Sequence, residues 1–145
     1  MERISKDDYY LQIAMAVSAR STCLRKHYGA VIVKDDRIVA TGYNGSPRGE
    51  ANCCDVGVCY CRTHELPIDE TAAQHGAQYG SCVAVHAEQN ALINASAQDL
   101  RGATIYLAGY DVTRDCWIEV KLCNICDRMI RNAGIARVVG RTVVR

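Results

Sequence analysis

The sequence predicts a single α/β domain in which a central mixed sheet is flanked by helices in three layers. Three observations carry this. Strands alternate with helices in the second half of the chain, the pattern of a parallel crossover packed on a sheet. A short β-branched run, Gly29 to Lys34, is followed by Asp35-Asp36 and a returning run, Arg37 to Thr41, the signature of a hairpin. The 145 residues, 49% of them apolar and 23% charged, suit one soluble domain with a real core.

The elements follow in order. Ser5, with Asp8 three residues on, resembles a capping box, and Leu11, Ala14, Met15 and Ser18 recur at helical spacing to about Arg20. The hairpin comes next. From Gly42 to Cys82 periodicity gives way to Gly, Pro, Asn and clustered cysteines, so a loop of about forty residues is expected at about 43–82. A loop of that length in a compact domain is functional, or held by something other than a core. Order resumes at His86, with a helix expected to about Ala97, and Gly102 leads into a strand from Ala103 to Ala108. Gly109 to Lys121 is expected to be irregular. A second helix runs from Asn124 to Asn132 with Gly134 as its stop, and Arg137 to Gly140 is the last strand.

Bulk charge limits the partners. A formal net charge of +1 makes no electrostatic case for a long nucleic acid or an anionic membrane, although a local cluster of cations can serve a small anion. No stretch approaches the ~20 apolar residues of a membrane span. Met1 to Asp8 is polar and charged with no apolar signal region, so a cytoplasmic location is the expectation.

Nine cysteines, at 23, 53, 54, 59, 61, 82, 116, 123 and 126, are the one abnormal feature of the composition. In a reducing compartment such a set points to metal or catalysis more than to disulfides. Two groups have the spacing of a metal centre. His86-Ala87-Glu88 opens one expected helix and Cys123-Asn124-Ile125-Cys126 opens the next. One imidazole and two thiolates are three ligands, which leaves a zinc coordination position open. Helix starts offer unpaired amides and a positive dipole end, both of which favour thiolate. Glu88, which ligates nothing, is placed to carry protons. His-x-Glu or Cys-x-x-Cys alone says little; the two together match the established signature of zinc deaminases.

Longer blocks narrow the reading. Arg20-Ser21-Thr22-Cys23, Gly29-Ala30-Val31-Ile32-Val33, Gly42-Tyr43-Asn44-Gly45-Ser46-Pro47, His86-Ala87-Glu88-Gln89-Asn90-Ala91 and Asn132-Ala133-Gly134-Ile135 span most of the chain. In these blocks the chain resembles the dCMP deaminase branch of the cytidine deaminase-like superfamily. The resemblance implies the cytidine deaminase-like fold, a catalytic zinc on His86, Cys123 and Cys126, Glu88 as proton shuttle, and Asn44 and Ala87 as substrate contacts. Asn44 has a plainer reading as well, because Asn-Gly is a good turn. The implied reaction is hydrolysis of dCMP to dUMP and ammonia. Hexamers regulated by dCTP and dTTP are common in this branch, so a homo-oligomer and those effectors are implied too. Two departures stand out: Leu122 replaces the usual proline before the first zinc cysteine, and Gly109 to Lys121 is longer than usual.

The resemblance further implies a second, structural zinc held by Cys23, Cys53 and Cys82, with Cys59 as a further ligand and Cys61 or His64 competing; spacing alone does not choose between Cys53 and Cys54 or between Cys59 and Cys61. A four-coordinate zinc would supply stability that so long a loop lacks. The plainer alternative is that some of these cysteines are small buried side chains. Cys54 and Cys116 have no assigned part. For a substrate phosphate, Arg20, Arg25, Lys26 and Arg48 flank the diagnostic blocks, though each is also an ordinary surface charge. Rival readings are a deaminase of another amino-heterocycle, such as tRNA adenosine or cytidine, and a non-catalytic zinc-binding module.

Overall fold

The computed structural model describes residues 1–63 and 82–140. The chain runs α1 (Lys6–Ser18), β1 (Lys26–Lys34), β2 (Arg37–Tyr43), α2 (Cys53–Val56), α3 (Tyr60–Thr63), α4 (Ala87–Asn94), α5 (Ala97–Leu100), β3 (Thr104–Asp111), β4 (Cys116–Ile118), α6 (Asn124–Asn132) and β5 (Arg137–Gly140). Ser5 caps α1, its Oγ accepting the Asp8 amide at 3.0 Å. The β1–β2 turn places Asp35 and Asp36 at φ 51° and 59°, the left-handed pair that a two-residue hairpin needs and that Asp tolerates.

The sheet is mixed, with β2, β1, β3 and β4 side by side and β5 also on β3. β1 pairs antiparallel with β2 and β3, while β3 and β5, joined through α6, run parallel from Thr104↔Arg137 to Leu107↔Gly140. Its two faces carry separate cores, as strand alternation dictates. Val31, Val33, Tyr106, Ala108 and Val139 pack under α1 against Tyr10 and Ala14. Ala30, Ile32, Ile105, Leu107 and Val138 face α4 and α6 with Ala87, Ala91 and Ile130. Ile32, Ile105 and Ile130 are fully buried, contributing on the order of 1.5–3 kcal/mol each.

Two glycines bring the helices close. A Cβ on Gly29 would run into the Ala14 carbonyl of α1, and one on Gly42 into the Ala91 amide and Ala87 carbonyl of α4. Asn90 Nδ2 and Asn94 Nδ2 then donate from α4 to the carbonyls of Tyr43 and Thr41 at 2.8 and 2.9 Å.

Three sequence expectations are corrected. The helix after His86 stops at Asn94, because Ala95 turns extended and Ser96 caps a separate turn, accepting the Asp99 amide at 3.1 Å. The stretch from Gly109 to Lys121 is largely a hairpin: β3 continues to Asp111 and pairs with β4 from Gly109↔Ile118 to Asp111↔Cys116. Within the long loop, Cys53–Val56 and Tyr60–Thr63 are single helical turns.

Candidate metal and active site

His86 and Cys123 are both helix N-caps, of α4 and α6, so the free amides of two helix starts converge on one point. α4 and α6 lie on the same face of the sheet, against the same core. His86 Nδ1 lies 3.2 Å from Cys126 Sγ and 3.6 Å from Cys123 Sγ, and the three ligand atoms all lie within 4.8 Å of one another. Cys123 is 4% exposed and Cys126 fully buried. Cys126 donates its backbone amide to Cys123 Sγ at 3.3 Å. A hydrogen bond from the Cys126 thiol lowers the Cys123 thiol to about 4, against burial and with help from His86; Cys126 is pushed up in return. Burial works to lower the His86 imidazole, yet its hydrogen bond to Cys123 and the nearby Glu88 charge raise it. One nitrogen and two sulfur donors, gathered and shielded from water, are a donor set that fits zinc.

Glu88 is 7% exposed in the first turn of α4, close enough to feel the charges of His86 and Cys123. Burial raises its carboxyl above the usual glutamate range. A carboxyl raised in this way holds a proton more readily than an exposed glutamate does.

His86 also lines a cavity of about 510 Å³ that opens between the start of β1, the β3–β4 hairpin and the cysteine-bearing loop. Among the described residues, five cations line it, Arg25, Lys26, Arg62, Arg114 and Lys121, against the carboxylates Asp111 and Glu119. Asp111 is spoken for. Its Oδ1 accepts from the Thr113 hydroxyl at 2.7 Å and the Thr113 and Arg114 amides at 2.9 and 3.1 Å, and its Oδ2 from Arg114 Nε at 2.9 Å. These bonds, the Thr113 hydroxyl first, hold the Asp111 carboxyl far below the usual range.

The predicted phosphate candidates divide: Arg25 and Lys26 line the cavity, whereas Arg20 and Arg48 do not. Arg62, Arg114 and Lys121 were missed, since nothing in their local sequence marks which way they face. Asn44 lines the cavity with its amide engaged, accepting from the Tyr28 amide at 2.8 Å and donating to the Lys26 carbonyl at 2.9 Å. One amide hydrogen and one lone pair are left over. Ala87 is fully buried.

Cys23, Cys53, Cys59, Cys61 and Cys82 all border the cavity. Among the described residues, however, only His86, Cys123 and Cys126 are drawn close enough together to hold a metal as they stand. Burial pushes the Cys59 thiol up, but the Arg62 and Cys61 amides and the Arg25 guanidinium outweigh it and lower it. Cys61 is pushed up to about 12 by burial and its hydrogen bond with Cys82. His64 lies outside the described residues.

Comparison with known proteins follows the same lines. Residues 4–142 match the cytidine and deoxycytidylate deaminase zinc-binding region. The deoxycytidylate deaminase of Mycobacterium phage D29 is 42% identical over 139 residues, covering 96% of this chain and 96% of that protein. The Schizosaccharomyces pombe deoxycytidylate deaminase is 31% identical over 97% of this chain, which spans 38% of its length. A crystal structure of dCMP deaminase from the cyanophage S-TIM5, in complex with dCMP and dUMP, matches with a TM-score of 0.64 and 26% identity, covering 95% of this chain and 83% of that one. With nearly its whole length matched and the His86–Cys123–Cys126 site in place, the chain belongs to the cytidine and deoxycytidylate deaminase zinc-binding family.

Proposed function

We propose that this chain is a zinc-dependent deoxycytidylate deaminase, which takes dCMP and water to dUMP and ammonia. The observation that carries the reading is the convergence of His86, Cys123 and Cys126 beside a buried Glu88, with His86 on the wall of a cavity rich in cations. The near full-length likeness to a phage deoxycytidylate deaminase supports the choice of substrate. His86 Nδ1 and the two sulfurs hold the ion; zinc, when bound, supplies the Lewis acidity that makes water a nucleophile at neutral pH. Glu88 takes the first proton of water and delivers it to the ring nitrogen of cytosine as the hydroxyl adds to the ring carbon; it then takes the second from that hydroxyl and delivers it to the amine, which leaves as ammonia. Arg25 and Lys26, with Arg62, Arg114 and Lys121 as further candidates, offer the phosphate charge-assisted hydrogen bonds. Asn44 takes the sugar with its unused amide hydrogen, and the buried Ala87 backs the base.

Cys23, Cys53, Cys59 and Cys82, with Cys61 as alternative, hold a second zinc that pins the loop; their shared position on the cavity wall supports this. A homo-oligomer, a hexamer by the family resemblance, with dCTP and dTTP as effectors, is part of the same proposal. Among the described residues no helix is long and apolar enough to cross a membrane, and a cytoplasmic location is proposed with the rest. An ammonia-release assay across dCMP, dCTP, cytidine, deoxycytidine and deoxyadenosine tests the reading: dCMP should be the best substrate by a wide margin.

A further inference from the structure

Asp111 ends β3 and is 3% exposed, yet it lines a cavity whose charged groups, among the described residues, are mostly cations. A carboxylate in such a place opposes an anion unless its charge is committed elsewhere. Its two oxygens have different duties. Oδ1 closes the turn into β4, accepting the Thr113 hydroxyl and the Thr113 and Arg114 amides. Oδ2 accepts Nε of Arg114 at 2.9 Å and so grips a side chain that is 59% exposed. An exposed arginine held by nothing samples many rotamers, and an anion that captures it must order it first. The same point ties in two other cavity cations. Lys26 stands opposite Asp111 in the β1–β3 register, and the Arg25 carbonyl accepts the Val112 amide at 2.9 Å. The root of the hairpin thus fastens the main chain of Arg25 and Lys26 to the residue that grips Arg114, and all three cations line the cavity. A guanidinium held at Nε brings four further N–H donors and its full charge, the fork that suits a phosphate.

We propose that Asp111 is a positioning residue for the substrate phosphate: it holds the Arg114 guanidinium on the cavity wall as a third cation to Arg25 and Lys26, which makes Arg114 a determinant of nucleotide over nucleoside. The proposal rests on the deoxycytidylate reading above. Its test uses the zinc-loaded whole protein as wild type, Arg114→Gln, Arg114→Lys and Asp111→Asn, assayed for ammonia release from dCMP and from deoxycytidine. Arg114→Gln should lower the ratio of the two kcat/KM values, dCMP over deoxycytidine, by about 10–100-fold, with the loss in KM for dCMP rather than in kcat. Lysine keeps the charge but has no Nε for Asp111 to grip, so it should restore only part of the ratio. Asparagine keeps an oxygen for the three turn bonds and puts an NH₂, which cannot accept from Nε, in place of Oδ2. Asp111→Asn should therefore lower the ratio too, and add little when combined with Arg114→Gln, because it acts through that side chain. Damage to the hairpin alone lowers both substrates together and leaves the ratio in place. A ratio unmoved by Arg114→Gln overturns the proposal. A wild-type ratio in Arg114→Lys, or in folded Asp111→Asn, overturns the positioning role; should Asp111→Asn fail to fold, the exposed Arg114→Lys decides alone. A wild type that treats dCMP and deoxycytidine alike overturns the nucleotide reading instead, before any variant is made.

Discussion

His86 Nδ1 lies 3.2 Å from Cys126 Sγ although forty residues separate them, and the Glu88 carboxyl is buried beside the pair. Neither helix start alone makes a site; the shared face of the sheet does. This convergence assigns separate duties to neighbouring side chains, and separate duties give separable mutants.

Glu88→Gln keeps the volume of the buried side chain and removes its proton traffic. Zinc content should hold at the wild-type level while turnover falls by about 10²–10⁴-fold. Metal analysis and ammonia release on the same preparation decide the matter, and near-normal activity in the zinc-loaded variant contradicts the mechanism.

Metal content separates the two cysteine groups. Purified protein should carry close to two zincs per chain. Cys123→Ala should abolish activity with the fold retained, because α4 and α6 share a packed core. Cys23→Ala or Cys53→Ala should instead release one zinc and lower the melting temperature. A fully active protein with one zinc, indifferent to both of the latter changes, rules out the structural site.

Substrate choice should follow the cavity. Deamination of dCMP should exceed that of deoxycytidine by orders of magnitude, since only the nucleotide offers a phosphate to cations. Neutralising Arg25 or Lys26 should narrow that gap, whereas Arg20→Gln and Arg48→Gln, outside the cavity, should leave it unchanged. Equal efficiency of the wild-type enzyme on both compounds ends the nucleotide reading.

Asp111 gathers four hydrogen bonds at the root of the β3–β4 hairpin. Asp111→Ala should cost about 1–3 kcal/mol. Because its folded pKa is depressed, the stabilisation is complete above the unfolded value of about 4 and drains away as pH falls toward the folded one. Thermal melts of the two proteins should therefore converge as the pH is taken below about 4; a gap that stays constant to lower pH would assign the loss to packing instead.

Gly29→Ala tests the closeness of α1. The added methyl meets main-chain atoms of Ala14 and Ser18, which cannot rotate away. A loss of about 1–3 kcal/mol or more is expected in chemical denaturation, and a variant as stable as wild type would mean that α1 shifts freely on the sheet.

Much of this was legible beforehand, for physical reasons. The N-terminal cap at Ser5, the Asp35-Asp36 turn and the whole of α6 announce themselves through local chemistry, and His86, Glu88, Cys123 and Cys126 through their spacing on helix starts. The β3–β4 hairpin stayed hidden because β4 is only three residues long and its turn uses Asp115 at φ 52° where glycine would have been the usual signal. Proximity to a motif offered Arg20, Arg25, Lys26 and Arg48 alike, yet only Arg25 and Lys26 of these border the cavity. Which way an exposed arginine faces is set by tertiary neighbours, not by the residues beside it in sequence.

The two asparagine bonds from α4 to β2 have a bearing on solubility. Among the described residues β2 is the outermost strand on its side, and a bare outermost strand is a template onto which another chain can add. Here the carbonyls of Tyr43 and Thr41 already accept protons from Asn90 and Asn94. An incoming strand would have to displace both amides before it could zip along that border, so the helix that begins after His86 also screens part of the sheet's edge.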